Sequence, residues 1–353
     1  MTKADNLHKS ILIVHTWGIG DMILLTPALR AARKLHPELK ITLLVFPHAA
    51  ALPVKNADYV DEILYGGWKP LELLASIRKL RRQGFHAVFF TTGVTAWKSW
   101  LFMQFIKAKH KIGEYNKLKY PGLTDYIQHD LKKCRVHANY ELLRAAVDLP
   151  DWEAALQKRG ELNLATHFSL SEANREWADN YIEAQALGKK PILAIHPGSM
   201  ARNRFRRWPV TYFATLIEFI KQDFDLNFVV IAGPDEEEEG RYLSKIEGVQ
   251  VLERTSLGNV AAFISRCQAF VNTDSGLGHI ASCFQIPSLT IFGPGDERQT
   301  APFSPKSRVV RLPMDCAPCV RHKTRECNLE CLVGLSPQTV YDSLKPILEG
   351  CLQ

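Results

Sequence analysis

Several signals that would assign a function directly are missing from this sequence. No GxxxxGKS or GxxxxGKT phosphate-binding loop occurs, and the pair Gly18 and Gly20 lacks the third glycine of a dinucleotide-binding fingerprint. No apolar run approaches the about 18 residues that a membrane-spanning helix requires. The first ten residues, MTKADNLHKS, contain no apolar segment of the kind found in signal peptides. We therefore expect a soluble, cytoplasmic protein that binds no nucleotide through a P-loop.

Net charge of either sign is also scarce. The 353 residues carry 44 basic and 37 acidic side chains, which gives a formal net charge of +7. This excess is small for a dedicated nucleic-acid-binding protein and fits anionic ligands or an anionic membrane surface better. The hydrophobic content of 46% argues against a disordered chain. The length is sufficient for about two α/β domains.

The first half of the chain alternates apolar strands with helices. Residues 10–14, SILIV, form a short and almost wholly apolar strand of the kind buried in parallel sheets. A helix is expected over 22–35, further strands over 40–46, 60–64, 87–91 and 109–112, and further helices over 71–82 and 96–107. Strands that alternate with helices of this length predict a parallel sheet with helices on both faces.

The second half repeats this alternation of strands and helices after a stretch of different composition. The stretch 148–190 is charged and irregular apart from an amphipathic helix around 171–186, and we interpret it as the connection between domains. The sequence predicts an α/β protein of two doubly wound domains, 1–165 and 166–336, with a C-terminal helix in 337–353 that packs back on the body. The carboxyl ends of the strands in both domains are expected to border one cleft, because ligands of such sheets bind there.

A polar turn between two apolar strands is the strongest candidate for a binding site. In AFVNTDSGLGHIASCFQIPSLTIFGP, residues 269–294, strands at 269–272 and 288–292 flank a helix at about 277–284. The turn contains Asp274, Ser275 and Gly276, and His279 falls in the first helical turn. A helix N-terminus at the carboxyl end of a parallel strand suits a phosphate or diphosphate. The alternative is an ordinary capped helix in which His279 faces the core or caps.

A carboxylate follows the first strand. Asp21 stands at the start of a helix directly after Gly18-Ile19-Gly20, and the two glycines allow the backbone to approach a ligand closely. At the carboxyl edge of the strand Asp21 would face the expected cleft and accept a proton from a hydroxyl nucleophile. The structural alternative is that Asp21 only caps the helix N-terminus.

Four arginines lie within six positions after the strand that ends near His196. They are Arg202, Arg204, Arg206 and Arg207, and Trp208-Pro209 follows them. Such a cluster repels itself unless anions bind it, and guanidinium groups bind phosphate oxygens in pairs. A diphosphate leaving group would meet this requirement, whereas the alternative is a solvated basic loop. His196 by itself is more typical of a structural histidine than of a catalytic one.

Three further patterns each allow more than one interpretation. The turn from Gly233 to Glu237 would hold ribose hydroxyls, or it is only a solvated helix start. The spacing Cys316-x2-Cys319-x7-Cys327-x3-Cys331 is compatible with a structural metal site, a labile disulfide pair or simple packing. Basic and aromatic residues alternate from Trp97 to Lys119, which suits an anionic lipid-like surface or acceptor, or is an amphipathic helix followed by a basic loop.

Together these stretches resemble glycosyltransferase family 9, the ADP-heptose:lipopolysaccharide heptosyltransferases. ILIVHTWGIGDMILLTPAL is similar to the family's opening strand, G-x-GD turn and TPAL helix. HPGS with RFRRWP resembles its nucleotide-side loop, and the Gly233 stretch resembles its turn of glycine and acidic residues. VNTDSGLGHIAS followed by PSLTIFGP resembles its D-S-G-x-x-H signature and FGP strand end. The matches have the family's order and cover nearly the whole chain, and the Cys-x2-Cys tail is also similar.

The resemblance implies a GT-B architecture of two Rossmann-like domains, with the donor bound mainly by the C-terminal one. It implies inverting transfer of a heptose from ADP-heptose to a sugar hydroxyl of the lipopolysaccharide inner core, without a metal and without a cofactor. The implied acceptor is the Kdo/heptose-lipid A core, reached by peripheral contact with the inner face of the inner membrane. No nucleic-acid partner is expected.

The resemblance also assigns roles to individual residues. Asp21 falls on the family's proposed general base. Arg206 falls where the family usually has a diphosphate-contacting lysine, and arginine keeps the charge but changes the geometry. The other positions that fall on donor-contacting residues are Gly198, Ser199, Glu237, Thr255, Asp274, Ser275, Gly276 and His279.

Two rival functions fit the same predicted fold. A sugar-nucleotide epimerase should bring several carboxylates to the sugar, whereas here Asp21 stands almost alone. A non-catalytic nucleotide-sugar-binding protein would keep the turn 274–279 and have no use for Asp21. The choice of heptose, of core sugar or of another sugar nucleotide is left open by the sequence, as is the oligomeric state.

Overall fold

The computed structural model describes residues 10–67, 69–92, 96–114, 120–128, 133–319 and 327–352. The chain divides into two compact units, Met1–Ser169 and Leu170–Gln353. This boundary lies inside the stretch 148–190 that the sequence marks as the connection between domains. In the described part of the chain, no helix has both the length and the apolar character needed to cross a membrane.

The first unit is built around a six-stranded parallel sheet. Its strands are β1 (Ser10–His15), β2 (Lys40–Val45), β3 (Glu62–Tyr65), β4 (Phe85–Phe90), β5 (Ala108–Glu114) and β6 (Asp125–Ile127). Its described helices are α1 (Ile19–Ile23), α2 (Thr26–Leu35), α3 (Pro70–Gln83), α4 (Ala96–Gln104), α5 (Arg135–Ala146) and α6 (Trp152–Gln157), with a 3-10 segment at His48–Val54. The strand order β3-β2-β1-β4-β5-β6 is doubly wound, and the chain reverses direction between β1 and β4.

The apolar sequence of β1 follows from its position in the middle of this sheet. Every residue of β1 is buried, and the strand pairs in parallel with β2 on one side and β4 on the other. Leu80 of α3 and Met103 of α4 pack in one cluster with Leu12 and Val14 of β1. Helices α3 and α4 therefore cover the same face of the sheet, and the right-handed connections place α2 on the opposite face.

The second unit contains another six-stranded parallel sheet. Its strands are β7 (Ile192–His196), β8 (Asn227–Val230), β9 (Val249–Val251), β10 (Ala269–Thr273), β11 (Ser288–Phe292) and β12 (Ser307–Arg311). Its described helices are α7 (Glu172–Ala184), α8 (Val210–Asp223), α9 (Glu237–Leu243), α10 (Leu257–Ile264), α11 (Gly276–Cys283), α12 (Glu297–Thr300), α13 (Glu330–Val333) and α14 (Pro337–Leu352). Shorter 3-10 segments span Leu187–Lys189, Ala201–Arg206 and Pro234–Glu236. The order β12-β11-β10-β7-β8-β9 places the change of winding direction between β7 and β10.

The C-terminal helix α14 packs on the second unit. Leu344 and Leu348 of α14 join the core cluster that contains Phe213 and Leu216 of α8. At the rim of this contact, Asp223 accepts from Lys345 Nζ at 2.6 Å and also from the Tyr341 hydroxyl. The helix thus belongs to the core of the second unit.

Some elements differ from the sequence-based expectations. The helix expected over 22–35 is two helices, because it breaks at residues 24–25, where the Thr26 hydroxyl donates to Ile23 O at 2.7 Å. Strands β6 and β12 and helices α5 and α6 were not expected. Both strands lie at the edges of their sheets, where a strand is only partly buried and its apolar pattern is weak.

Candidate active site

Asp21 lies at the carboxyl edge of the first sheet, in the turn that leaves β1. Helix α1 begins at Ile19 with Gly18 as its N-cap residue, so Asp21 is the third residue of the helix. The structural alternative, that Asp21 caps this helix, is therefore wrong, because Gly18 occupies the cap position and no side-chain cap hydrogen bond is made. Only the capping explanation is removed, since an acidic residue in the first turn still complements the helix dipole.

An arginine from a distant part of the chain binds the Asp21 carboxylate. Arg135 is the first residue of α5, and its Nη1 donates to Asp21 Oδ1. The same guanidinium lies 5.7 Å from the ring centroid of Trp17, a distance at which cation–π attraction is effective. Among the described residues Asp21 makes no other hydrogen bond or ion pair, so its Oδ2 can still accept a proton.

A buried histidine supports the backbone of this turn. His15 Nε2 donates to Gly18 O at 3.3 Å, and the Thr91 hydroxyl donates to His15 Nδ1 at 3.2 Å across the change of winding direction between β1 and β4. Burial lowers the pKa of His15, so the ring is neutral and can both donate and accept. His15 thereby fixes the path of the chain into α1, which begins two residues before Asp21.

In the second unit, the turn between β10 and α11 presents a helix N-terminus. Ser275 is the N-cap residue of α11 and makes no side-chain cap hydrogen bond. The backbone N–H groups of the first helical turn have no acceptor within the helix, and the helix dipole gives this end a partial positive charge. A Cβ added at Gly278 would lie 2.6 Å from Asn272 Nδ2, so glycine allows the helix to approach β10 closely. His279 is buried in this first turn.

Arg206 reaches this helix N-terminus from the loop after β7. Its Nη1 lies 3.0 Å from Asp274 Oδ2, and the side chain of Asp274 is buried while that of Arg206 is 28% exposed. One positive guanidinium, still accessible to solvent, is thus held beside the amide groups that begin α11. This combination suits an anion with several oxygen atoms.

Arg207, the next residue, is used for internal contacts. Its guanidinium donates to Glu239 Oε1 at 2.6 Å, to Glu236 Oε1 at 3.2 Å and to Asp235 O at 2.8 Å, and it also donates to Ser199 O. The four-arginine cluster is therefore not uniform. Arg207 forms ion pairs with carboxylates of the protein itself, whereas Arg202 and Arg204 are exposed.

The loop after β7 is closely fitted to its neighbours. A Cβ added at Gly198 would lie 1.9 Å from Glu236 Cγ, so no larger residue fits there. Gly198 O accepts from the Thr273 hydroxyl at 2.5 Å, which joins this loop to the end of β10. Ser199 is buried, and its hydroxyl donates to Asn203 O at 2.8 Å.

Glu237 and Thr255 lie on the β8 and β9 side of the same sheet edge. Glu237 is exposed at the start of α9, 3.7 Å from Arg254 Nη1. Glu237 and Arg254, but not Thr255, line a cavity of about 360 Å³, together with Ala232, Gly233, Gly240, Arg241, Ser244, Val251 and Leu252. The Thr255 hydroxyl accepts from Asn259 Nδ2 at 2.8 Å.

These features lie at one edge of the second sheet. The loops after β10, β7, β8 and β9 follow neighbouring strands, which are about 4.8 Å apart. The edge therefore runs for about 14 Å from the α11 N-terminus to the cavity beside Glu237. An elongated ligand with an anionic end and a polar ring would fit along it.

Comparison with known proteins identifies the family. The family model for glycosyltransferase family 9 (heptosyltransferase) matches residues 73–330, more than half of the chain. The chain belongs to glycosyltransferase family 9.

Relatives of this glycosyltransferase match it over almost its whole length. Lipopolysaccharide heptosyltransferase 2 of Salmonella typhimurium is 24% identical over 365 aligned residues, covering 96% of the chain and 98% of the relative. The solved structure of E. coli ADP-heptose LPS heptosyltransferase II has a TM-score of 0.73 at 22% identity, covering 97% and 99% of the two chains. E. coli heptosyltransferase WaaC with ADP-2-deoxy-2-fluoro heptose gives 0.70 at 20% identity, covering 96% and 99%. The expected GT-B class with two Rossmann-like domains is confirmed.

The predicted site residues of this glycosyltransferase fall into separate groups. Asp274, Ser275, Gly276 and His279 lie in one turn, Arg206 contacts it, and Gly198 is joined to it through Thr273. Glu237 and Thr255 lie further along the same edge, and Asp21 belongs to the first unit. Sequence reasoning missed Arg135, because its contact with Asp21 joins residues 114 positions apart and leaves no local signal. It also missed the role of His15.

The cysteines of this family 9 enzyme are separate thiols. All eight lie in the described part of the chain, and none forms a disulfide there. The pKa of Cys331 is raised, mainly by burial and to a smaller extent by the neighbouring thiols of Cys327, Cys316 and Cys319. Among the described residues, no group of three or more His, Cys, Asp or Glu side chains is arranged to hold a metal ion. In the basic and aromatic segment, Lys117 and Lys119 lie outside the described residues.

Proposed function

We propose that this glycosyltransferase transfers heptose from ADP-heptose to a sugar hydroxyl of the lipopolysaccharide inner core, with inversion and without a metal. Family membership gives the reaction class, and names of relatives that contain lipopolysaccharide and ADP-heptose support the substrates. The observation that carries the donor assignment is the ion pair between Arg206 and Asp274, since it holds a guanidinium beside the N-terminus of α11.

In this proposal the donor lies along the carboxyl edge of the second sheet. Its diphosphate binds the amide groups of Ser275 and Gly276 and the guanidinium of Arg206, with His279 beside them. Gly198 and Ser199 form the bottom of the donor site, and Glu237 and Thr255 bind the nucleoside. The positive helix end and the arginine supply the charge stabilisation that the departing diphosphate needs, which is the basis for proposing that no metal is required.

Asp21 is the proposed general base. The acceptor hydroxyl oxygen bonds to the anomeric carbon while the bond from that carbon to the diphosphate oxygen breaks, and the electron pair leaves with ADP. The hydroxyl proton passes to the Asp21 carboxylate. A single displacement of this kind inverts the anomeric centre. Arg135 holds Asp21 Oδ1, so Oδ2 would receive the proton.

The acceptor is proposed to be the Kdo/heptose-lipid A core, on the cytoplasmic side of the inner membrane. The lipopolysaccharide relatives support this substrate class. A lipid-linked acceptor lies in a bilayer, and the enzyme would then act as a peripheral protein. An epimerase is disfavoured, because the matching family model and the lipopolysaccharide relatives are those of heptosyltransferases.

The base assignment is tested with Asp21→Asn. The amide keeps the size of the side chain but cannot take up the proton, so kcat for ADP release from ADP-heptose with a core acceptor should fall by about 100-fold or more. The affinity for ADP, measured by calorimetry, should stay within about twofold. Asp58→Asn, which changes an exposed carboxylate of the same unit, is the matched control and should retain full activity.

Three results would count against the proposal. Turnover of Asp21→Asn within a few fold of the wild type would remove Asp21 as the base. Hydrolysis or epimerisation of the sugar nucleotide without an acceptor-dependent product would favour another enzyme class. Binding of ADP-heptose with no turnover on any core acceptor would indicate a non-catalytic protein.

A further inference from the structure

Two helices on one face of the first sheet expose large apolar side chains. On α4, Trp97 is 49% exposed, Leu101 43%, and Phe105, directly after the helix, 47%. On α3, Leu71 is 81% exposed and Leu74 is 44% exposed. We call these five side chains the α3/α4 outer face. Single exposed apolar residues are ordinary, but five on two helices that cover the same side of a sheet form a patch.

The spacing shows that these side chains share a direction on each helix. Trp97, Leu101 and Phe105 are four residues apart, which places them within about 80° around the helix axis. Met103 and Ile106 point the other way and are buried against the sheet. Helix α4 is thus apolar on both its inner and outer sides. A helix of this kind is normally covered on both sides.

The two stretches of sequence that contain these helices carry much of the positive charge of the protein. Residues 69–83 contain five basic and one acidic side chain, and residues 96–111 contain four lysines and no acidic residue. These two stretches hold a net charge of +8, whereas the whole chain has +7, so the rest of the chain is close to neutral. A partner that binds the α3/α4 outer face should therefore be anionic as well as apolar.

The basic side chains on the outer side of α3 are not neutralised by the protein. Arg78, Arg81 and Arg82 are exposed on the side of α3 that carries Leu74, away from the buried Leu80. Within the described part of the chain no carboxylate lies within 4.0 Å of these three arginines. Lys79, in contrast, pairs with Glu62 at 3.1 Å. Uncompensated charge next to exposed leucine and aromatic side chains is typical of a surface that binds anionic lipid.

The beginnings of both helices, and with them part of the patch, lie toward the end of the first unit that carries Asp21. In a parallel sheet each connecting helix begins at the carboxyl end of the strand before it. Helix α3 follows β3 and α4 follows β4, so Leu71, Leu74 and Trp97 are near the carboxyl edge of the sheet. Asp21 leaves β1 at the same edge.

We propose that the α3/α4 outer face docks the protein on an anionic phospholipid bilayer. The apolar side chains enter the interface between headgroups and acyl chains, and the flanking arginines and lysines bind lipid phosphates. This inference rests on the proposed function, because docking is useful to an enzyme whose acceptor is linked to lipid. The docked enzyme would hold such an acceptor near the edge that carries Asp21. The binding itself is measured without any substrate.

The test is flotation of the full-length protein with vesicles of phosphatidylcholine, with or without phosphatidylglycerol. The wild type should float with the anionic vesicles and lose binding at high salt. Leu101→Ser combined with Phe105→Ser should weaken binding by at least about tenfold. Arg78→Gln combined with Arg81→Gln should weaken it by about fivefold for each charge. Leu156→Ser, and Lys55→Gln with Lys158→Gln, are matched exposed controls in the same unit and should bind normally.

Several results would overturn the docking inference. One is no flotation of the wild type with anionic vesicles, and another is equal loss of binding in the patch and control variants. A wild-type dimer in sedimentation analysis that becomes monomeric in Leu101→Ser with Phe105→Ser would assign the face to a second copy of the chain.

Activity assays separate this inference from the proposed function. With a delipidated, water-soluble core acceptor, the patch variants should turn over like the wild type, and with the acceptor embedded in anionic vesicles they should be slower. Normal turnover without vesicle binding would defeat only the docking inference. Vesicle binding without transfer to any acceptor would defeat only the proposed function.

Discussion

Arg206 and Arg207 are neighbours in the sequence and have different surroundings. Arg206 pairs with one buried carboxylate and keeps 28% of its side chain exposed. Arg207 is 9% exposed and pairs with two carboxylates, Glu236 and Glu239. A sequence shows four equivalent positive charges here, and only the contacts separate the residue that is available to a ligand from the one that is not.

Arg206→Ala should weaken ADP binding by about 10- to 100-fold, because a charge-assisted hydrogen bond contributes about 1.5–3 kcal/mol. Isothermal calorimetry with ADP is the measurement. Arg204→Ala, which removes an exposed arginine of the same loop, should leave the affinity within about twofold. Unchanged ADP affinity in Arg206→Ala, with the fold intact, would exclude this arginine from the donor site.

At the level of single residues, sequence reasoning proposed Asp21 as a site residue but did not predict its environment. The G-x-GD turn after an apolar strand marks the carboxylate, since both signals lie within a few positions. Arg135 is brought to it only by the packing of α5. The alternative cap role for Asp21 was wrong for a local reason, because Gly18, three residues earlier, is already the N-cap residue of the helix.

Among the elements, those with strong local signals were predicted best. The helix expected at about 277–284 is α11, Gly276–Cys283, and the strand expected at 288–292 is β11. Small residues begin this helix and Pro287 separates it from the strand, so the boundaries are encoded nearby. Helix α5 was missed, because it buries residues on several sides and lacks a clear one-sided apolar pattern.

The loop after β7, the turn after β8 and helix α9 are connected by one side chain. Arg207 donates to Ser199 O, to Asp235 O and to the carboxylates of Glu236 and Glu239. Burial raises the pKa of Glu236, and the Arg207 charge counteracts this effect. The carboxylates would be left without their counter-charge if the guanidinium were removed.

Arg207→Ala should therefore lower the free energy of unfolding of the second unit by about 3 kcal/mol or more, the usual cost of breaking a buried ion pair on one side. Urea unfolding monitored by circular dichroism is suitable. Arg202→Ala, at an exposed position of the same loop, should change it by less than about 0.5 kcal/mol. Equal stability of the two variants would show that Glu236 and Glu239 find other partners.

For the whole molecule, alternation of strands and helices predicted two doubly wound sheets, and both are present. The short edge strands were missed, since a strand of three residues such as β6 carries too little pattern. The family could be inferred from four motifs, because each consists of turn residues that lie together in the sequence. The contacts among those motifs required the fold.

Each unit also contains a histidine whose protonation opposes folding, half-buried in the first unit and buried in the second. Burial lowers the pKa of His167 in the first unit and of His196 in the second to about 4. Both histidines take up a proton near pH 6.5 in the unfolded chain. Between pH 6.5 and about 4 the unfolded state thus binds more protons than the folded state, so stability falls as the pH falls.

The free energy of unfolding should accordingly be constant above about pH 7 and decrease from pH 6.5 to pH 4.5. Each histidine contributes a slope of up to about 1.4 kcal/mol per pH unit. Urea titrations at several pH values test this. His196→Asn should make the dependence shallower, and a wild-type stability that is flat or rises toward pH 4.5 would contradict the prediction.

The contact between Arg135 and Asp21 has a consequence for how the chain meets other charged molecules. Each group is at present the counter-ion of the other, so together they add little to the local field. A carboxylate or phosphate that came within reach of Arg135 would compete with Asp21 for the same guanidinium. Exchange of counter-ions at Arg135 would then release the Asp21 carboxylate, so an anion bound there would change which contacts Asp21 is free to make.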